Sequence, residues 1–422
     1  MSGEGQQAAW QDDAGPARLF GPDGFCYSAR VIQRIIVLFV NGLGVGALSE
    51  SDQEEQGQPM RRGLGSVLEA APDVALPTLE ALGLGHVVEP SRLRRMDQPE
   101  GCFGRMVRSS PGSDPLTSLW ELSGLTPPQP FPSYRDTLPA SLGELVERTA
   151  KASVRPVAFP DLRTLLGQRA AEALAHRHLL IWGDQGAACH VAAHDSLCPP
   201  PELFRVCRDV RKAAQVLCPL ARVVARPIGG PPGAFHWLDQ VRESCLAPPG
   251  ASLFDALVNV EQLVTGIGKV GDLVNGTGFT RLISVRKTAA VWSELMKTLT
   301  TTPRGLIVAG LFDDVEWGGA ASFASNWAQA LGKLDASLLE LQVKLKPGDL
   351  VCLTADHARD VLGGGEATGD PVPLLMFGPR VAKGVNLGTL RTFADLGQTI
   401  AEAFGASRLP SGDSYLAALR GG

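Results

Sequence analysis

The stretch IIVLFVNGLGVG, residues 35–46, decides the fold class. Its first six residues are continuously apolar, which is typical of a strand that is covered on both faces in a parallel sheet. The glycine-rich residues that follow predict a loop at the carboxyl end of this strand. Because the apolar run is too short to cross a bilayer and contains Asn41, we interpret it as a buried strand rather than a membrane span.

Apolar runs of the same kind alternate with amphipathic patterns along the rest of the chain. Helical spacing of apolar residues extends over 202–217, 323–345 and 393–404, and a short helix is expected over 75–84. This alternation predicts an α/β fold with a mostly parallel sheet and helices on both faces. The further strands are expected at 178–182, 222–228, 306–311, 350–353 and 372–377.

Two proline-rich breaks, at 127–132 and 248–250, divide the chain. The segment between them has its own strand and helix patterns, so it is expected to form an inserted α/β cap domain. The predicted organisation is a flexible tail (1–30), a core (31–131 and 248–407), a cap domain (132–247) and a C-terminal tail (408–422).

Composition excludes several classes of protein. The chain has 422 residues, of which 44% are hydrophobic, and this content excludes wholesale disorder. Its 39 basic and 44 acidic residues give a net charge of −5, which does not support nucleic-acid binding. The eight cysteines form no CxxC pair and the first thirty residues do not resemble a signal peptide. We therefore expect a soluble cytoplasmic protein without a membrane or nucleic-acid partner.

Two polar clusters follow predicted core strands, where parallel sheets place functional groups. Asp356 and His357 come after the strand at 350–353, and a carboxylate beside an imidazole suits Mn²⁺ or Zn²⁺. The acidic residues Asp313, Asp314 and Glu316 follow the strand at 306–311. Each cluster has a plainer interpretation, since such residues also form solvated loops and structural contacts.

Hydroxyl groups are concentrated in the turn at 109–118, ahead of a helical pattern. Such hydroxyls cap helices, and they also hold phosphate or act as nucleophiles. His190 and His194 are a weak candidate pair of metal ligands, because their spacing would place both side chains on one face of a helix. Neither a GxxxxGK[ST] nor a GxSxG motif is present.

Taken in order, segments between 35 and 405 resemble phosphopentomutases, which belong to the alkaline-phosphatase-like metalloenzyme superfamily. Each match is short, and the ordered set is what makes the resemblance specific. The matching segments are 35–46, Ala75-Leu76-Pro77-Thr78-Leu79, 109–124, Ala225-Arg226-Pro227, Gly268-Lys269, Thr354-Ala355-Asp356-His357 and Phe393-Ala394-Asp395-Leu396-Gly397-Gln398-Thr399.

The resemblance implies a core that binds two divalent metals, usually Mn²⁺, and an inserted cap. It also implies an activated threonine that carries a phosphoryl group between positions 1 and 5 of a pentose phosphate. The positions that match metal ligands are Asn41, Asp314, Asp356 and His357. Arg226 and Lys269 match positions expected to bind the substrate phosphate.

Several of the matching positions depart from the family pattern. Asn41 stands where the family has an aspartate, and Pro115 stands at the nucleophilic threonine, preceded by the retained Asp114. Gly319 and Ala367 replace two histidine ligands. At most one weakly bound divalent metal, Mn²⁺ or Zn²⁺, is therefore expected, with none at the second site.

These departures predict a degenerate, non-catalytic relative that binds an unknown protein partner or a phosphorylated ligand such as a sugar phosphate. The alternative is an active metal-dependent phosphomutase, phosphotransferase or phosphatase with a rebuilt site. In that case Ser113 or Thr117 would be the nucleophile, beside Asp114. Asp313, Glu316 or Glu366 would replace lost ligands. A third possibility is an unrelated reaction on the same scaffold.

Overall fold

The structure is a computed structural model. The residues that it describes are 18–20, 26–28, 32–46, 63–88, 91–112, 114–158, 162–184, 186–313, 320–360 and 366–420. The strands in these ranges are β1 (Arg18–Phe20), β2 (Cys26–Ser28), β3 (Arg34–Val40), β4 (Cys102–Met106), β5 (Val154–Pro156), β6 (Leu179–Gly183), β7 (Ala188–His194), β8 (Arg222–Gly229), β9 (His236–Trp237), β10 (Arg242–Cys245), β11 (Val264–Ile267), β12 (Arg281–Ile283), β13 (Gly305–Leu311), β14 (Asp349–Thr354), β15 (Ala358–Asp360), β16 (Glu366–Thr368), β17 (Val372–Phe377) and β18 (Asn386–Leu390).

The helices are numbered in the same way. One 3-10 turn (Leu84–His86) follows the second helix, and a π turn (Leu165–Arg169) joins the fifth to the sixth. The helices are α1 (Leu64–Ala70), α2 (Pro77–Ala81), α3 (Pro115–Leu122), α4 (Ala140–Ala150), α5 (Leu162–Thr164), α6 (Ala170–Ala175), α7 (Pro200–Ala214), α8 (Leu253–Asn259), α9 (Val270–Leu273), α10 (Thr288–Thr301), α11 (Ala320–Lys344), α12 (Ala394–Ala403) and α13 (Leu416–Leu419).

The larger sheet has eight strands in the order β12-β11-β13-β3-β14-β17-β4-β18. Its neighbouring strands run parallel except at the β14–β17 and β17–β4 pairs. Every residue of β3, β13 and β14 is buried, as a central strand with both faces covered requires. The α/β class with a mostly parallel sheet is confirmed, and the strand predicted at 35–40 lies between those predicted at 306–311 and 350–353.

A second sheet is built from strands between residues 154 and 245. Its order is β10-β8-β7-β6-β5, with β9 paired to β8, and it mixes parallel and antiparallel pairs. These strands lie inside the segment predicted as a cap, and the two proline-rich breaks lie in the segments that connect them to the larger sheet. The division into core and cap domains stays a prediction.

The interpretation of His190 and His194 as neighbours on a helix is wrong. Both lie on β7, whose neighbours are β6 and β8. A spacing of four residues places side chains on one face of a strand as well as of a helix, so the spacing alone could not distinguish them.

Residues 408–420, which fall in the predicted C-terminal tail, pack against the rest of the chain. Leu416 and Leu419 are each only 2% exposed. The backbone N–H of Ala382 donates a hydrogen bond to the carbonyl of Leu419. No helix in the described ranges has both the length and the apolar character that a membrane crossing requires.

Candidate functional site

The carboxyl ends of β3, β13 and β14 meet at one edge of the larger sheet, because the three strands are parallel neighbours. Asn41 follows β3, Asp313 comes two residues after β13, and Asp356 comes two residues after β14. A parallel bridge between Gly42 and Ala358 keeps the chain segments together beyond the strands. This edge therefore gathers the polar residues that the sequence placed after separate strands.

Lys269 lies between two of these carboxylates. Its Nζ is 3.0 Å from Asp313 Oδ1 and 3.2 Å from Asp356 Oδ2, and its side chain is 8% exposed. Burial alone would lower the pKa of this ammonium group, but Asp313 and Asp356 hold the pKa above its usual value. Lys269 was predicted to bind substrate phosphate; here its charge is already paired inside the protein.

The backbone before Lys269 explains how its side chain reaches this position. Gly268 has φ of 91°, in the left-handed region that favours glycine. A Cβ at Gly268 would lie 2.9 Å from the carbonyl oxygen of Gly310, so only glycine lets the end of β11 approach β13 so closely. The turn at Gly268 thus positions the ammonium group of Lys269 at the sheet edge.

Asp313 has two further partners. Nη1 of Arg286 lies 3.4 Å from its Oδ2, and Nδ2 of Asn41 donates to its Oδ1 at 3.5 Å. The preceding residue, Phe312, is buried with φ of 68°, an outlier for a bulky side chain. This strained backbone turns the chain after β13 and directs Asp313 toward Lys269 and Arg286.

Asn41 is held by a different cation. Nε of Arg359, on β15, donates to Asn41 Oδ1 at 3.3 Å. Nε1 of Trp327 donates to the Asn41 backbone carbonyl at 3.3 Å. Both polar atoms of the Asn41 side chain are therefore engaged by protein groups.

Asp356 and His357 are buried side by side, with His357 Nδ1 3.1 Å from Asp356 Oδ1. Among the described residues, neither carboxylate oxygen and neither ring nitrogen has a hydrogen-bond partner with acceptable geometry. Burial lowers the pKa of His357 to about 4, so its imidazole is neutral at pH 7. Burial would raise the pKa of Asp356, but His357 and Lys269 hold it far below its usual value.

The described donors do not fit a two-metal centre. His357 offers a neutral ring nitrogen that would suit one divalent ion, but Asp356 beside it is already paired with Lys269. Asp313 and Asn41 are also occupied by cationic side chains, and a dication would meet the repulsion of Lys269, Arg286 and Arg359. No group of three or more histidine, cysteine, aspartate or glutamate residues converges within the described ranges.

The hydroxyl region is organised around a helix cap. Asp114 is the N-cap of α3, and its Oδ1 accepts a hydrogen bond from the Thr117 backbone N–H at 2.9 Å. The Thr117 hydroxyl is fully buried and lies 2.8 Å from Asp114 Oδ2. Pro115 is the first residue of α3, a favoured place for proline. Thr117 and Asp114 are thus brought together as capping partners.

Glu121, on α3, is the centre of a network of hydrogen bonds. Its buried carboxylate accepts hydrogen bonds from the backbone N–H groups of Ser109 and Ser110, at 2.9 and 2.8 Å. It also accepts one from the Thr392 hydroxyl at 2.7 Å and one from the Phe393 N–H at 2.9 Å. Burial would raise the pKa of Glu121, but these hydrogen bonds lower it. The group ties the loop before α3 to the start of α12.

Arg226 belongs to a partly buried chain of polar groups at the second sheet. Its Nε donates to His190 Nδ1 at 2.9 Å, and His190 Nε2 lies 3.2 Å from Asp184 Oδ2. Burial and the nearby Arg226 lower the pKa of His190, against the opposing effect of Asp184, so the ring is neutral and donates from Nε2. Trp182 stacks on the ring at 5.1 Å. This chain fixes the guanidinium of Arg226.

A network of ion pairs that no sequence motif indicated joins the two sheets. Arg222 contacts Asp184 at 3.1 Å and Glu243 at 2.8 Å, and Arg286 contacts both Glu243 and Asp272. Burial would raise the pKa of Glu243, but Arg222 and Arg286 lower it to about 2. No local spacing signals these pairs, because their members come from separate strands and loops.

The remaining predicted positions are placed as follows. Ala367 lies on β16 and is half-buried. The side chain of Glu366 lies outside the described part of the chain. Ser113 and residues 314–319, which include Asp314, Glu316 and Gly319, also lie outside it.

Comparison with known proteins assigns the chain to a superfamily and to a family within it. Residues 259–408 match the family model of the metalloenzyme superfamily. The chain is 31% identical to a phosphopentomutase of Herpetosiphon aurantiacus over 391 residues, which cover 92% of this chain and all of that protein. It is 30% identical to a phosphopentomutase of Caldanaerobacter subterraneus over 390 residues, covering 92% of this chain and 98% of the relative. The chain belongs to the phosphopentomutase family, as its motifs predicted.

Proposed function

We propose that this chain is a non-catalytic member of the phosphopentomutase family that binds a phosphorylated ligand, such as a sugar phosphate, without transferring its phosphoryl group. The observation that carries the proposal is the position of Lys269 between Asp313 and Asp356. Lys269, together with Arg286 on Asp313, already compensates the two carboxylates, so the protein does not need metal ions to balance them.

The nucleophile region supports the same conclusion. Pro115 has no hydroxyl, and a covalent phosphoryl transfer requires an acceptor oxygen. The Thr117 hydroxyl is fully buried and engaged with Asp114, so attack on a phosphoryl group would first require the cap of α3 to break. With Asn41 held by Arg359, the retained motif residues serve the packing of the sheet edge.

Arg226 is the group we assign to the ligand phosphate. The only hydrogen bond of its side chain to a described residue uses Nε, which leaves the two terminal nitrogens as donors. Two parallel N–H donors match two oxygens of a phosphate group. His190 and Asp184 fix the orientation of the guanidinium, so little conformational entropy is lost on binding.

The test is to measure the affinity of the purified chain for ribose 5-phosphate by isothermal titration calorimetry, without added metal. We expect saturable binding that weakens about tenfold or more in Arg226→Gln, because one bidentate charged contact is lost. Arg205→Gln is the control, since Arg205 lies on the outer face of α7 and pairs with Glu202 and Asp209. Equal affinity of wild type and Arg226→Gln would contradict the assignment, and metal-dependent turnover of the ligand would contradict the proposal itself.

A further inference from the structure

A groove lies where the chain passes between the two sheets, and its lining does not include Asn41, Asp313 or Asp356. It has a volume of about 1220 Å³. One wall is the proline-rich segment 127–132, another is Pro248-Pro249, and a third is the last part of α7. Trp120 and Phe131 lie at its apolar side, with their rings 5.9 Å apart.

The charges of this groove have one sign. Arg208, Arg211 and Lys212 line it, and no carboxylate of the described residues does. The three residues lie on one face of α7, at positions i, i+3 and i+4. Like charges at this spacing repel each other unless an anion lies between them.

Two side chains that line the groove carry buried donors without an acceptor in the part of the chain that the structure describes. Arg211 is 5% exposed, and its Nε and Nη1 have no hydrogen-bond partner among the described residues. Trp120 is 3% exposed, and its Nε1 also lacks a partner there. A buried guanidinium without a carboxylate is costly, and burial lowers the pKa of Arg211 accordingly. Both groups are therefore donors that acceptor oxygens in the groove would satisfy.

We propose that this groove is a binding site for a phosphate monoester of a small ring-bearing molecule, separate from the Arg226 site. Three cations offset the double negative charge of a phosphate monoester, and the unpartnered Nε and Nη1 of Arg211 are charged donors for its oxygens. The proline rings and Phe131 provide flat apolar walls for the organic part. The groove is far larger than a phosphate ion, and therefore inorganic phosphate alone would leave most of it unfilled.

The test is to measure the affinities for phenyl phosphate, inorganic phosphate and benzoate by isothermal titration calorimetry, all at the same ionic strength. We expect phenyl phosphate to bind wild type more tightly than either of the other probes. Arg211→Gln should weaken its binding about tenfold or more, and Trp120→Phe, which removes one donor and keeps a ring, should weaken it severalfold. Arg205→Gln on the same helix is the matched control and should change the affinity less than about twofold.

Three outcomes would overturn the inference: no saturable binding of phenyl phosphate, equal affinity in wild type and Arg211→Gln, or benzoate binding as tight as that of phenyl phosphate. Thermal unfolding of each variant establishes that it is folded at the titration temperature. If Arg211→Gln is unfolded there, the affinity of Trp120→Phe for phenyl phosphate tests the site instead. The two sites are distinguished by the pattern of the variants: the affinity for phenyl phosphate should fall more in Arg211→Gln than in Arg226→Gln, and the affinity for ribose 5-phosphate should fall more in Arg226→Gln than in Arg211→Gln.

Discussion

Lys269 and Asp356 form a buried ion pair at the sheet edge, with 3.2 Å between Nζ and Oδ2. The two side chains are 8% and 2% exposed, so water screens their attraction only slightly. A divalent ion bound to Asp356 would have to displace this ammonium group or be repelled by it. The pair thus opposes the metal chemistry that the matched superfamily model implies.

Replacing Lys269 should therefore increase the affinity for metal. In Lys269→Met, Asp313 and Asp356 lose their shared cation, and we expect Mn²⁺ to bind about tenfold or more tightly than in wild type. The variant should melt at a lower temperature without Mn²⁺, because it leaves the buried Asp356 carboxylate without its ammonium partner, and Mn²⁺ should restore part of the loss.

The measurement is thermal unfolding over a range of Mn²⁺ concentrations. Lys287→Met is the control, because Lys287 pairs with Asp239 on an exposed surface, where such contacts contribute little. Tighter Mn²⁺ binding by wild type than by Lys269→Met would show that the ammonium group does not compete with the metal.

Glu121 should be important for stability rather than chemistry. In Glu121→Gln the carboxamide cannot accept all the hydrogen bonds that the carboxylate accepts from 109–110 and 392–393. We expect a loss of about 2–4 kcal/mol in the free energy of unfolding, measured in urea. Glu69→Gln, at an exposed position of α1, should change it by less than about 0.5 kcal/mol. A similarly small change in Glu121→Gln would contradict this role.

The ion pairs between the sheets predict a pH dependence. The pKa of Glu243 is about 2 in the folded chain, below its ordinary value of 4.5. Its stabilisation is therefore complete above about pH 4.5 and is lost as the pH falls toward 2, because the unfolded chain then binds the proton more readily. A shift of this size corresponds to about 3 kcal/mol.

The corresponding experiment compares the unfolding free energies of wild type and Glu243→Gln. The difference between them should narrow as the pH is lowered from about 5 to about 3. A difference that stays constant over this range would mean that Glu243 has no lowered pKa in the folded chain.

The sequence predicted which polar residues lie at the sheet edge, but not which charged residues pair with them there. Continuous apolar runs located β3, β13 and β14, and their order placed Asn41 and Asp356 at strand ends. The partners of these residues could not be predicted, because Lys269, Arg286 and Arg359 reach them from separate elements through tertiary packing. The capping role of Thr117 was one of two interpretations that the sequence left open, and it needed the observed contact with Asp114.

The most direct test of the central claim is an assay for interconversion of ribose 1-phosphate and ribose 5-phosphate by the purified chain. It should be run with and without Mn²⁺, beside the Herpetosiphon aurantiacus relative as a positive control. We predict no turnover above the enzyme-free rate in either condition, because Pro115 removes the acceptor hydroxyl and Lys269 occupies the carboxylates. Mn²⁺-dependent turnover by this chain would contradict the account and establish a rebuilt active site.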